Sequence, residues 1–261
     1  MMFKSTRDLL FPLSFAAVFL LSWHSLVSSG LIPSYILPLP QEVFLALKEN
    51  RSDIGIALFS TGKNSILGLG LAIVCGFSLG LILVSFRWLE KAVSPFTQLF
   101  QTIPVVALAP LLVIWFGFGD TTVQASSFFV SFFPILANTM TGLKTIDPGL
   151  TELFSFYESR ALHRLIYLQA PSAFAHLITG LRVAVGLSVV GAIVGEFIAG
   201  GGIGSIIDAA RTQQRLDLVF AAIAASSLLG ICMVSVINWC VKVLLKYRPF
   251  VSLSRDQGAH L

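Results

Sequence analysis

The sequence predicts an all-α polytopic membrane protein with six transmembrane helices, and three observations predict it. Only 11% of the 261 residues are charged while 56% are hydrophobic, against roughly 25% charged in ordinary soluble domains. Mean hydropathy is +0.87. Six stretches are also long and apolar enough to cross a hydrocarbon core of about 30 Å, which takes about 20 helical residues. Thirteen acids and 17 bases cannot coat a soluble protein of this length. A secreted or cytosolic globular enzyme, a disordered chain and a fibrous repeat are thereby excluded.

The predicted spans are 9–29, 64–86, 95–118, 122–143, 175–198 and 218–245. Lys4 and Arg7 ahead of the first span suggest a signal peptide, but the apolar run is too long for a usual signal core and lacks an A-x-A exit. It reads as a retained span. Span two carries Gly68, Ala72, Gly76 and Gly80, one small residue every fourth position. In lipid, where apolar side chains gain little from one another, such a stripe marks close helix–helix approach. Gly191 and Gly195 repeat the spacing in span five.

Pro104 and Pro110 fall in span three and Pro134 in span four. Each removes a helix hydrogen bond and bends the chain, leaving carbonyls for neighbours or water. These prolines are pathway or gating candidates. So are Arg182 and Glu196, the ionisable residues deepest in apolar sequence, because charged groups in hydrocarbon turn toward the bundle interior or water. They lie about 21 Å apart along a helix axis and cannot pair. Glu196 near the end of its span is also suited to snorkelling or capping.

Charge asymmetry orients the chain. With the N-terminus cytoplasmic, twelve of the 17 basic residues lie inside, whereas the acids divide evenly. Both termini are then cytoplasmic. The organisation reads as 1–56, a first transmembrane helix and an extracytoplasmic amphipathic segment; 57–250, a membrane-spanning core that includes the cytoplasmic loop 144–174; and 251–261, a cytoplasmic tail. Three polar segments connect the spans. Residues 30–56 lie outside and hold the amphipathic stretch Val43-Phe44-Leu45-Ala46-Leu47. Residues 199–217, also outside, open on Gly200-Gly201-Gly202-Ile203-Gly204, which reads as a flexible loop.

Residues 144–174 form the largest cytoplasmic loop. Leu150, Leu153, Phe154, Tyr157, Ala161, Leu162, Leu165 and Ile166 recur at helical spacing, between Asp147-Pro148 at the start and Pro171 at the close. An amphipathic helix here can lie on lipid, pack under its own bundle or dock in a partner's groove.

Chemistry-bearing motifs are missing. Gly55 followed by Gly62-Lys63-Asn64 has the wrong spacing for a phosphate loop and lacks its Ser/Thr. Cys75, Cys232 and Cys240 read as small buried residues, and the four histidines have no ligand spacing. No catalytic residue, metal, cofactor or nucleic-acid partner enters the reading. An intramembrane enzyme predicts clustered nucleophiles or ligands in the spans. A secondary active transporter predicts an internal repeat with interrupted helices; none is convincing here.

The loop resembles the EAA loop of bacterial ABC importer permeases, E-A-A-x3-G-x9-I-x-L-P. Pro171 places Leu168 at the Ile position, Glu158 at the Gly position and Glu152 at the Glu position, with Leu153 and Phe154 in place of the alanines. Further stretches resemble the nitrate/sulfonate/taurine-type permeases. They are Leu37-Pro38-Leu39-Pro40-Gln41-Glu42-Val43, Gln101-Thr102-Ile103-Pro104, Ala109-Pro110-Leu111, Trp115-Phe116-Gly117-Phe118-Gly119, Phe132-Phe133-Pro134-Ile135, Gly180-Leu181-Arg182 and Gly195-Glu196-Phe197.

The resemblance implies a type I importer permease fold in the bacterial inner membrane. It implies two permease copies over a cytoplasmic ABC ATPase dimer, an extracytoplasmic solute-binding protein, and a cargo of the sulfonate, taurine, nitrate or thiamine-precursor type. It also implies two short coupling helices in the loop, with Glu152, Phe154, Glu158, Arg160, Arg164 and Pro171 at the ATPase contact. Glu158 at the family's glycine shifts the bend between those helices or merges them.

Overall fold

The computed structural model describes residues 6–146, 148–157, 163 and 165–247, and among them there are helices and no strand. In chain order the helices are α1 (Thr6–Ser28), α2 (Pro40–Glu49), α3 (Arg51–Ser85), α4 (Arg87–Thr102), α5 (Val105–Phe116), α6 (Asp120–Lys144), α7 (Pro148–Phe156), a π-helical turn (Leu165–Gln169), α8 (Ala170–Ala199), α9 (Gly202–Thr212) and α10 (Leu216–Tyr247). Five are long and apolar enough to cross a membrane, α1, α3, α6, α8 and α10, or six if the bent pair α4–α5 counts as one span.

That bent pair corrects the third predicted span. In place of one helix over 95–118, α4 and α5 meet at 101° across Ile103 and Pro104. Pro104 has no N–H to continue the ladder of α4, and it forces Ile103 into an extended conformation (φ −70°, ψ 122°). The Ile103 N–H instead donates to the Phe100 carbonyl at 3.4 Å, closing a tightened last turn. Pro110 and Pro134 sit inside α5 and α6, which continue through them. The second span also begins earlier than predicted: α3 starts at Arg51 and passes unbroken through residues 56 and 57.

α2 follows from its sequence. Pro40 opens it with a φ already suited to a helix, and the Glu42 carboxylate accepts the Leu39 N–H at 2.8 Å. α1 stays peripheral and mostly exposed. Its Trp23 Nε1 donates to the Pro38 carbonyl at 3.0 Å, and its ring lies 6.0 Å from that of Phe220 on α10.

The core is a triple contact of α3, α6 and α8, and small residues set its spacing. α3 and α6 run parallel: a Cβ on Gly68 would meet the Gln124 carbonyl at 2.6 Å, one on Gly76 Ile135 at 3.1 Å, one on Gly80 Thr139 at 2.7 Å. Ala72, fully buried, packs with Leu69, Ile135, Ala184 and Val185. α8 runs antiparallel on the other side of α6. Gly191 and Gly195 lie against Ser126, Ser127 and Val123, Gly180 against Pro134 and Asn138, and Gly142 against Ala173 and His176.

Backbones this close let hydroxyls bridge helices. Ser126 Oγ donates to the Gly191 carbonyl at 2.7 Å and Ser131 Oγ to the Ala184 carbonyl at 3.2 Å. Such bonds are worth about 0.6 kcal/mol each in a membrane, so close packing rather than hydrogen bonding dominates the contact.

The cysteines correct another expectation. Cys75 and Cys232 are exposed and Cys240 is half-buried. Read as a membrane chain, the outer face is itself apolar, and a small thiol is tolerated there without burial.

Candidate functional site

The α4–α5 elbow opens a cleft of about 740 Å³ against α6 and α8. Phe100, Gln101, Ile103, Val105, Leu108, Leu112 and Trp115 come from the two arms; Phe129, Val130, Phe133, Pro134, Ala137, Asn138 and Leu187 form the other wall. The phenyl rings of Phe100 and Phe133 stack across it, 6.0 Å apart and 10° from parallel. Phe133 in turn meets Phe132 edge to face at 5.1 Å. Pro104 forms the hinge, Pro110 sits within the α5 arm, and Pro134 lines the far wall. Pro134 leaves α6 short of one donor, and its own carbonyl accepts Asn138 Nδ2 at 2.8 Å. The polar side chains of the lining are the two amides, Gln101 and Asn138.

Glu196 lies at the end of α8 with 1% of its surface exposed. The chain reverses there through Gly200, Gly201 and Gly202, whose φ angles are +82°, +85° and +57°, a region closed to most side chains. This turn aims the N-terminus of α9 at the Glu196 carboxylate. Gly204 N–H donates to Oε2 at 2.9 Å, Thr61 Oγ1 donates to Oε1 at 2.8 Å, and Ile203 N–H donates to Thr61 Oγ1 at 3.0 Å.

A Cβ at Gly202 would overlap the carboxylate. Free N–H groups and the helix dipole both favour an anion at this point. Glu196 therefore caps α9 and ties α3, α8 and α9 into one corner. The glycine run, expected as a flexible loop, is an ordered turn, because every left-handed position is occupied by the residue that tolerates it.

Beside this corner, Asp120 at the start of α6 accepts Asn64 Nδ2 at 3.0 Å and Lys63 Nζ at 3.2 Å, and Gln124 Nε2 donates to Asn64 Oδ1 at 3.0 Å. The Lys63–Asp120 pair is half exposed on both sides. Exposed pairs contribute about 0–1 kcal/mol. Lys63→Ala is therefore expected to shift thermal stability by less than about 1 kcal/mol, as read from melting of the purified protein.

Arg182 stands exposed on α8 and is not among the cleft-lining residues, and no described residue forms an ion pair with it. Arg182 and Glu196 thus share no site. Sequence reasoning missed Thr61, Gln101, Phe129 and Asn138. Glu196 four residues ahead of three glycines was a readable sign of a capped turn; its partner Thr61, 135 residues away, was not.

At the opposite end of the bundle, α7 carries Glu152 exposed and Phe154 half-buried, with Leu150, Leu153, Phe156 and Tyr157 exposed. Glu158, Arg160 and Arg164 lie outside the described residues. Pro171 was expected to close this segment. It instead occupies the first turn of α8, where its missing N–H has no intrahelical partner to lose. The π-helical turn ahead of it buries Leu168. The Glu90 carboxylate pairs with Lys144 Nζ, joining α4 to the end of α6.

The family described as "Binding-protein-dependent transport system inner membrane component" matches residues 68–247, which hold the elbow, most of the triple core and Glu196 with the start of α9. The chain belongs to this family. Two relatives are similar over most of their length. The formylaminopyrimidine transport permease protein ThiX of Halalkalibacterium halodurans is 36% identical over 254 residues, 94% of this chain and 98% of that protein. The putative aliphatic sulfonates transport permease protein SsuC of Escherichia coli is 32% identical over 214 residues, 80% of each. Among solved structures, the inward-facing MetNI methionine ABC transporter superposes with a TM-score of 0.57 at 17% identity, over 70% of this chain and 95% of that one.

The permease has the type I importer fold and is a multi-pass membrane subunit of an ABC importer. It is not itself the enzyme: ATP hydrolysis belongs to a separate ATPase subunit, and a solute-binding protein is the other partner of this class. The relatives leave the secondary-transporter alternative without support.

Proposed function

We propose that the cleft at the α4–α5 elbow is this chain's half of the translocation pathway for a small solute. A second copy of the chain supplies the other half. Both termini are cytoplasmic, so the Glu196 corner faces the binding protein and α7 faces the ATPase dimer. The remaining apolar surface, including α1, meets lipid. The observation that carries this reading is the break at Ile103–Pro104. A span interrupted by 101° beside a cleft is tolerated in a membrane where the freed backbone lines protein or water.

The test is labelling of Asn138→Cys by a polar thiol reagent in the reconstituted complex, with Cys75, Cys232 and Cys240 replaced by serine. The expected result is a labelling rate that changes severalfold between nucleotide-free and ATP-trapped states, while Val74→Cys on an exposed face of α3 does not change. Equal rates in both states at position 138 would remove the cleft from the pathway.

Coupling is placed at Glu152, Phe154 and the stretch from Glu158 through Arg160 to Arg164, ahead of Pro171. The exposed apolar residues of α7 would supply most of the contact and the charges its orientation. Glu152→Lys is expected to reduce uptake and binding-protein-stimulated ATP hydrolysis together while the complex still forms. Glu158→Gly is expected to be tolerated. Normal transport by Glu152→Lys in proteoliposomes would move the contact elsewhere in the loop.

A further inference from the structure

We propose that α4 lies flat in the cytoplasmic leaflet, with its apolar face in the acyl chains and its polar face among phospholipid headgroups and water, instead of completing the span that α5 begins. The choice of leaflet rests on reading both termini as cytoplasmic. α4 separates its residues by type. At about 100° per residue, Trp88, Leu89, Val93, Phe96, Leu99 and Phe100 fall on one side, and Glu90, Lys91, Ser94, Thr97, Gln98 and Gln101 on the other. Both sides stand open: Trp88 is 71% exposed, Phe96 61% and Leu99 58%, while Lys91 and Gln98 are exposed as well. The helix meets the bundle along one edge, where Leu89 and Val93 pack on the cluster of Leu83, Leu136 and Met140. A helix open on both an apolar and a polar flank needs two solvents at once, and the plane of a bilayer surface supplies them. Within hydrocarbon, Lys91 and Gln98 would have to give up their water.

The position of the elbow sets the depth. α5 has 12 residues, about 18 Å of helix, against a hydrocarbon core of about 30 Å. It packs beside α6 and α8. Its outer end is level with theirs, since the Gly119 N–H just ahead of α6 donates to the Ala199 carbonyl at the end of α8 at 3.1 Å. α5 therefore stops within about 12 Å of the cytoplasmic edge, and α4 meets it at 101°, close to the membrane plane. Interfacial amphipathic helices sit at about this depth, 5–10 Å below the headgroups. The charges of α4 gather at one end: Arg87, Glu90 and Lys91 lie in its first five residues, and none follows before Asp120. Pairing of Glu90 with Lys144 holds this end at the cytoplasmic end of α6. The exposed Lys91 is then placed for a lipid phosphate, and Trp88 carries the kind of ring that gathers at headgroup level. Pro95 removes the helix donor for the Lys91 carbonyl, which water or a headgroup replaces there.

The experiment is spin-label accessibility in the permease–ATPase complex, reconstituted in vesicles of phosphatidylethanolamine and phosphatidylglycerol with Cys75, Cys232 and Cys240 replaced by serine. Labels are attached at Phe96→Cys and Leu99→Cys on the apolar face and at Lys91→Cys and Gln98→Cys on the polar face, each variant checked for co-purification with the ATPase. The ratio of collisions with oxygen to collisions with a water-soluble nickel chelate is expected to be severalfold higher at 96 and 99 than at 91 and 98. Shielding of 91 and 98 from the chelate would mean that protein covers the polar face, and chelate access at 96 and 99 would put the apolar face against water; either result overturns the proposal. A membrane-impermeant maleimide is expected to modify Gln98→Cys in inside-out vesicles and not in right-side-out ones. The reverse result overturns the orientation of the chain and the leaflet together, whereas the collision ratios decide the interfacial placement separately. The Asn138→Cys labelling decides whether the cleft is the pathway, independently of both.

Discussion

Glu196→Ala is expected to unfasten the corner that joins α3, α8 and α9. The substitution leaves the buried Gly204 N–H without its acceptor, while the Thr61 hydroxyl falls back on the Ala57 carbonyl 3.0 Å away, and an unpaired buried donor costs about 1–3 kcal/mol. It also removes the anion from the α9 N-terminus. The summed loss is about 1–5 kcal/mol by these magnitudes, a large fraction of the stability of a domain.

Glu196→Gln is expected to be much milder. Its amide oxygen can still accept from Gly204, and its amide N–H can donate to Thr61, whose hydroxyl can turn to the Ala57 carbonyl 3.0 Å away. Gly202→Ala should resemble Glu196→Ala, since the φ of +57° and the adjoining carboxylate both oppose a methyl group there. Thermal melting of the purified permease in detergent checks all three. A Glu196→Ala protein that melts like the parent would show that the corner is held by other contacts.

Gly68→Leu is expected to have an effect at least as large, through packing. Its Cβ alone would sit 2.6 Å from the Gln124 carbonyl and 2.7 Å from Ser127 Cβ, and the first of these is backbone that cannot rotate away. α3 and α6 must separate, which opens the Gly76–Ile135 and Gly80–Thr139 contacts along the same seam. Overpacking typically costs about 1–3 kcal/mol. Here the cost is expected at or above about 3 kcal/mol, because the association has no hydrophobic drive to fall back on. Gly70→Leu is the control. Gly70 lies two residues away on the same helix, and a Cβ there would meet nothing within 4 Å. Yield of monodisperse protein and its melting temperature should fall for Gly68→Leu and stay near the parent for Gly70→Leu. Equal behaviour of the two would mean that close approach of α3 and α6 does not hold the bundle.

The legible parts of the fold were those written in local composition. A run of apolar residues must leave water whatever it packs against, so α1, α6, α8 and α10 were readable within a few residues of their ends. The stretches about Gln101–Pro104 and Gly195–Phe197 also carried the family resemblance. Pro104 was visible as a helix breaker, but apolar length alone could not show whether the chain bends slightly or turns through 101°. That angle depends on which walls receive the two arms. Pro171 misled because a missing N–H is equally compatible with ending one helix and starting the next.

By itself, the sequence determined that this protein is a membrane bundle, and its resemblance to importer permeases implied separate ATPase and binding-protein partners. It also determined where helices had to approach closely, since a glycine every fourth residue leaves a flat strip on any helix. Tertiary structure alone decided which strips meet, with α3 parallel and α8 antiparallel to α6, and that Glu196 finds Thr61 and the start of α9. It alone gathered Phe100, Trp115, Phe129, Phe133, Gln101 and Asn138 around one cleft. The physical reason is range. Hydropathy and backbone preference act on neighbours along the chain, whereas hydrogen-bond partners and cavity walls are chosen by packing among residues tens to more than a hundred positions apart.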